Sequence, residues 1–173
     1  MHGTTTDNED GISSGLKDVA LSELGIQQSK DLTALTEHLH FDAVFTSDLK
    51  RAVDSADLTW DSAYPRVVDE RLRECNYGDL NGHPSEEVEP LFEKALTEAL
   101  PNGESLIDVE NRIQDFLSEL KRDYDGKHVA IVAHKAPQLA LEVILGDRTW
   151  QQALEEDWRK RKAWQPGWEY ILD

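Results

Sequence analysis

The sequence predicts an α/β fold, a three-layer α/β/α sandwich with a mainly parallel sheet. Two observations carry this. Residues 129–133 form an unbroken apolar run between Lys127-His128 and His134. A strand without polar alternation is covered on both faces, as in parallel sheets. Strand-like stretches also alternate with helical ones of ten or more residues, the spacing a parallel crossover demands.

The first twenty residues are polar, rich in Thr, Gly, Ser and Asp, and without period. They read as an ordered loop or as a floppy tail. Leu21, Leu24, Leu32, Leu35 and Leu39 mark one helix face, interrupted where Gln28 falls on the stripe. Residues 41–46 read as a strand. Leu49, Ala52, Val53, Ala56 and Trp60 mark the next helix, with Ser47 or Asp48 as its cap. Val67 and Val68 suggest a short strand, and residues 77–84, with Gly78, Gly82 and Pro84, a loop. Residues 85–100 read as a helix ended by Pro101-Asn102-Gly103. Ser105 and Asp108 form a capping box ahead of the stripe Val109, Ile113, Phe116, Leu117 and Leu120. Helices over 137–145 and 149–162 and a strand over 168–172 complete the pattern. Without repeats, low-complexity tracts or long linkers, residues 1–173 read as one domain.

Composition narrows the function. The 173 residues carry 35 acidic against 18 basic side chains, a net charge of −17. Such a surface is repelled by phosphate backbones and anionic lipid, so neither nucleic acid nor a membrane is the expected partner. No run approaches the roughly 20 apolar residues of a membrane span, and no apolar signal region opens the chain. The single cysteine, Cys75, excludes a disulfide framework and a cysteine-built zinc site, and it points to a reducing compartment. A soluble cytoplasmic protein is expected. Nothing here sets an oligomeric state.

In open α/β sheets, ligands bind beyond the carboxyl ends of the strands. His134 follows the strand 129–133, Arg51 opens the helix after 43–46, and Arg71, Arg73 and Glu74 follow the strand at Val68. Three strand ends thus deliver cations, a histidine and a carboxylate to one rim, an anion site within an acidic chain. Singly, each has a structural explanation: a hydrogen-bonding histidine, a helix-face ion pair, a solvated carboxylate. The run Arg159-Lys160-Arg161-Lys162 reads as a solvated helix end that suits the helix dipole. Trp150, Trp158 and Trp164 read as packing residues, and Cys75 as a small filler.

Jointly the motifs resemble the histidine phosphatase superfamily, branch 1, the phosphoglycerate-mutase-like group. His2-Gly3-Thr4-Thr5-Thr6-Asp7-Asn8 is similar to its Arg-His-Gly-x-Thr-x-x-Asn box, and Gly15, Asp18, Leu21, Ser22, Gly25 and Gln28 match the segment that follows. Ser47-Asp48-Leu49-Lys50-Arg51-Ala52 with Ser55-Ala56 resembles its second motif, and Arg71-Leu72-Arg73-Glu74 with Gly78 and Gly82 its third. Gly103-Glu104-Ser105 with Arg112, and the strand ending at His134, supply the rest.

This resemblance implies a phosphomonoesterase for a small phosphorylated metabolite, without metal or cofactor. His2 is the implied nucleophile and Glu74 the general acid and base, with Arg51 and His134 stabilising the phosphoryl charge. Asn8, Gly15, Lys135 and Arg73 complete the implied phosphate- and substrate-binding set. A phosphoglycerate mutase and a non-catalytic phosphate-binding protein are the rivals. Two departures stand out. Met1 occupies the place of the family's arginine, and the central strand that precedes this box in the family is expected to be missing. A start assigned too far downstream, a truncation or a natural short form would each produce both features. Lys135-Ala136 follow His134 where the family has glycine.

Overall fold

The computed structural model describes residues 1–161 and 167–172. In chain order the elements are α1 (Thr6–Glu9), β1 (Ile12–Ser13), α2 (Glu23–Thr36), β2 (Ala43–Thr46), α3 (Lys50–Trp60) and β3 (Arg66–Val68). They continue with β4 (His83–Pro84), α4 (Ser85–Phe92), α5 (Leu106–Asp123), β5 (Val129–Val132), α6 (Lys135–Ile144) and α7 (Trp150–Glu155). Single 3₁₀ turns occupy Glu70–Leu72, Gly78–Leu80 and Trp158–Arg161.

The main sheet has the order β3-β2-β5 with every pairing parallel; Val44 lies opposite Arg66 and Ala43 opposite Val129. All three strands therefore end at one edge, the rim that carries Ser47, Asp69 and His134. Side chains of β2 alternate between two apolar clusters. Ala43 and Phe45 pack with Ile113, Phe116 and Leu139 of α5 and α6, whereas Val44 packs with Ala52 and Ala56 of α3. Ala130 and Val132 of β5 join the α3 side, while Val129 and Ile131 meet the other cluster. Both faces of β2 and β5 are covered, which is why these two strands lack polar alternation, whereas the edge strand β3 leaves Val68 exposed. Beyond β5, among the described residues, the His2 N–H donates to Ala133 O at 3.2 Å. A cavity of about 710 Å³ borders β5, walled by Leu32, Leu117, Tyr124, Tyr170 and Leu172 among others.

Four expectations change. The helix predicted over 85–100 stops at Phe92, because the Ala95 and Leu96 carbonyls accept from Leu106 and Ile107 N–H (2.8 and 3.0 Å) at the start of α5. A continued helix would have needed those carbonyls for its own ladder. The helix predicted over 149–162 ends at Glu155, and its last predicted residue lies outside the described residues. Residues 168–172 form no strand. The first turn of α3 takes its side-chain cap from neither Ser47 nor Asp48. Asp18 Oδ1 instead accepts from Lys50 N–H at 2.9 Å. That bond also resolves the choice left open for the first twenty residues. They are an ordered loop, pinned by α1, by β1 pairing antiparallel with β4, and by α3.

Candidate active site

Residues 3 and 4 are fixed by polar contacts with α3 and α2. Gly3 N–H donates to Ser55 Oγ (2.9 Å), and Thr4 N–H and Oγ1 both donate to Gln28 Oε1 (2.9 Å each). Gln28, which interrupts the apolar stripe of α2, is thus the residue that anchors the loop. Gly3 has to be glycine: a Cβ there would lie 2.4 Å from Gly25 O. This backbone approach places the His2 ring beside that of His134, with centroids 4.9 Å apart.

His2 Nδ1–H donates to Gly3 O at 2.7 Å, which leaves Nε2 unprotonated while the ring is neutral. Burial, reinforced by the Arg51 guanidinium, lowers its pKa to about 3, so the neutral form prevails near neutral pH. His134 is fully buried, and the same causes, burial first and then the neighbouring His2 and Arg51, hold its pKa well below the ordinary value. Its Nε2 shares a 2.6 Å hydrogen bond with Ser47 Oγ, and its Nδ1 has no partner among the described residues.

Arg51 sits on the first turn of α3 and is only 2% exposed. Nη1 donates to Lys17 O (2.9 Å) and Nη2 to Gly15 O (2.7 Å), so the guanidinium is clasped by carbonyl dipoles. Gly15 makes the clasp possible. It takes φ +56°, and a Cβ would fall 1.8 Å from Asn81 Oδ1. The Glu74 carboxylate is held by three backbone N–H groups. Oε1 accepts from Cys75 and Ala136 (2.9 Å each), and Oε2 accepts from Lys135 (3.1 Å). Two of those donors belong to the first turn of α6, where unpaired N–H groups favour an anion. Arg112 buttresses the segment by donating to Glu74 O at 3.1 Å. Burial pushes the Cys75 thiol up, which suits a filler.

His2, Arg51 and Glu74 line one cavity of about 300 Å³, together with Asn8, Gly15 and Lys135, whereas His134 is outside that lining, borders the larger cavity beside β5 and meets the site through the His2 ring. Asn8 Oδ1 accepts from Thr5 N–H (3.0 Å), leaving its NH₂ as the group able to donate. Lys135 Nζ pairs with Glu89 and lies 4.7 Å above the Phe92 ring. Arg73 is not brought in. Its guanidinium grips Asp48 through Nε (2.7 Å) and Nη2 (2.5 Å), and it stands outside the cavity lining. The reason is local: Arg73 follows a 3₁₀ turn whose rim neighbours are acidic. Several residues of the site had no individual sequence reading as site residues. Ser47 is the partner of His134, Trp158 lines the cavity while also packing on Trp168, and Arg159 lines it instead of facing solvent as a helix end. Among the described residues no His/Cys/Asp/Glu group could hold a metal ion, and no helix is long and apolar enough to cross a membrane.

The chain shares its sequence and fold with known proteins. Residues 2–167 match the histidine phosphatase superfamily (branch 1). The chain is 32% identical over 149 residues to a 2,3-bisphosphoglycerate-dependent phosphoglycerate mutase of Cytophaga hutchinsonii, covering 77% of this chain and 68% of that protein. It is 30% identical over 153 residues to phosphoserine phosphatase 1 of Hydrogenobacter thermophilus, covering 83% and 72%. A mycobacterial glucosyl-3-phosphoglycerate phosphatase, solved with VO₃, superposes with a TM-score of 0.79 at 28% identity, covering 89% of this chain and 83% of that one. With a sheet that ends on two facing imidazoles and a family match over nearly its whole length, the chain belongs to the histidine phosphatase superfamily, branch 1.

Proposed function

We propose that the protein is a phosphomonoesterase that hydrolyses a small phosphorylated metabolite through a phosphohistidine on His2. The observation that carries this reading is one cavity lined by an unprotonated imidazole nitrogen, a buried guanidinium and a held carboxylate. His2 Nε2 attacks phosphorus with its lone pair while the bond to the leaving oxygen breaks. Glu74, which takes up a proton from solvent as the phosphate charge enters beside it, gives that proton to the leaving oxygen and so releases an alcohol. Water then attacks the phosphohistidine, Glu74 takes a proton back, and inorganic phosphate leaves His2 restored.

Charge on the phosphoryl oxygens is met by Arg51, whose fork suits phosphate geometry, and by the Asn8 NH₂. When Ser47 O–H donates to His134 Nε2, the proton of the neutral ring sits on Nδ1, the nitrogen without a partner. It then becomes a donor available beside the His2 ring, where the phosphoryl group is carried. A mutase would use the same first step and return the phosphoryl group to substrate, and a phosphate-binding protein would stop at the encounter.

The test is p-nitrophenyl phosphate turnover with trapping of an acid-labile phosphohistidine. The expected result is a phosphorylated His2, stoichiometric release of phosphate and p-nitrophenol, and loss of both in His2→Ala. Turnover unchanged in His2→Ala would refute the assignment.

A further inference from the structure

We propose that Trp158 and Arg159, on the 3₁₀ turn after α7, form a second donor edge of the cavity that binds the oxygens of the same phosphate. This rests on the phosphatase reading only in naming the ligand. Both side chains line the cavity that holds His2 and Arg51. Arg159 is held by a built cradle. Asp157, whose side chain is 2% exposed, pairs with Nη1 at 2.6 Å and accepts the Arg159 N–H at 3.1 Å. Gln138 Oε1, on α6, lies 3.4 Å from Nη1, and the guanidinium stacks on the Trp158 ring at 4.8 Å.

A carboxylate is buried at a cost unless it has a partner, and the pairing fixes the arginine in one orientation. Three neighbours thus position a group that a solvated helix end would leave to water. What the guanidinium meets on its other side is weak. Nη2 touches the thioether of Met1, the residue next to His2, and the Gln138 oxygen at 3.5 Å. A thioether is a poor acceptor, so a phosphate oxygen displaces it readily. An independent observation points to the same ligand: Trp158 Nε1–H is buried with no acceptor among the described residues. An orphaned buried N–H calls for an explanation, and an anion in the cavity supplies it. The Arg159 charge is also felt at His2, after burial, Arg51 and the Met1 ammonium, as the smallest influence against the imidazolium. Met1 stands where the first family motif has arginine, and Arg159 reaches this place from the far end of the chain.

Inorganic phosphate is the probe, with binding read by calorimetry at two salt concentrations on the full chain. Arg159→Gln is expected to weaken binding roughly tenfold, and Arg159→Lys less, because a charge remains while the fork is lost. Trp158→Phe keeps the stacking ring and removes the N–H, and is expected to weaken binding about threefold, the scale of one neutral hydrogen bond. Because Arg159→Gln leaves Asp157 buried and unpaired, the double variant Asp157→Asn/Arg159→Gln is measured beside it. The same loss of affinity in this double variant supports the proposal. Phosphate affinity in Arg159→Gln and in the double variant equal to that of the unsubstituted protein overturns it, as does an unsubstituted protein that binds no phosphate. Turnover of p-nitrophenyl phosphate on the same samples tests the phosphatase reading separately.

Discussion

Replacing Ser47 by alanine isolates the hydrogen bond that orients His134. The ring is fully buried, with Nε2 on Ser47 Oγ at 2.6 Å and Nδ1 unpartnered among the described residues. Without the hydroxyl, both ring nitrogens are buried and unsatisfied, at a cost of about 1–3 kcal/mol. In a chain of this size each kcal/mol lowers Tm by roughly 2–4 °C, so a fall of about 6 °C is expected. A charge-stabilising donor contributes roughly 3–4 kcal/mol to the transition state. Losing its orientation, but not the group itself, is expected to forfeit about 1.4 kcal/mol of that, or tenfold in kcat. Thermal unfolding followed by circular dichroism, and steady-state turnover of p-nitrophenyl phosphate, read the two effects. Ser47→Thr keeps the hydroxyl but adds a methyl at a position with no exposure. It should be destabilised as well, yet retain more turnover than alanine. A Ser47→Ala protein that melts within about 1 °C of the unsubstituted chain, with kcat within about twofold, would refute the reasoning.

Three further outcomes are expected. Arg51→Lys should lose roughly a hundredfold in turnover, because one ammonium cannot span both Gly15 O and Lys17 O and also face the phosphoryl group; a loss under about threefold would remove Arg51 from the chemistry. Glu74→Gln should slow alkyl phosphates much more than p-nitrophenyl phosphate, whose leaving group needs no proton, and equal slowing would contradict a general acid. Stability should fall with acidity. His2 titrates near 6.5 in the unfolded chain and near 3 in the folded one, so between these values the unfolded state binds the extra proton. The contribution is whole above about pH 6.5 and shrinks by about 1.4 kcal/mol per unit below it. Melting temperatures flat from pH 7 to about pH 5 would contradict a neutral buried imidazole.

The fold was legible where burial is two-sided. The run 129–133 and the apolar pattern of β2 are direct consequences of a sheet covered on both faces. Arg51, Glu74 and His134 were legible because strand ends in a parallel sheet share an edge. His2 was legible only through family resemblance, since it lies in a stretch held by polar contacts that leave no period. Ser47 and His134 meet across 87 positions, and no local pattern encodes such a pair. Arg159 was misread because basic residues after a helix ordinarily suit its dipole, whereas here Asp157 turns the backbone and claims the guanidinium. The length of α4 escaped because tertiary bonds from α5 to the Ala95 and Leu96 carbonyls override propensity.

The clasp on Arg51 has a thermodynamic consequence. Its hydrogen bonds go to two carbonyl oxygens, and among the described residues no carboxylate lies within ion-pair distance of it. Folding without ligand therefore leaves a desolvated cation that carboxylates, Glu74 foremost, reach only from beyond ion-pair distance, an unfavourable arrangement that an incoming dianion relieves as its counter-ion. Occupancy should then tighten the whole chain, with orthovanadate or phosphate raising the unfolding temperature in proportion to the logarithm of its concentration.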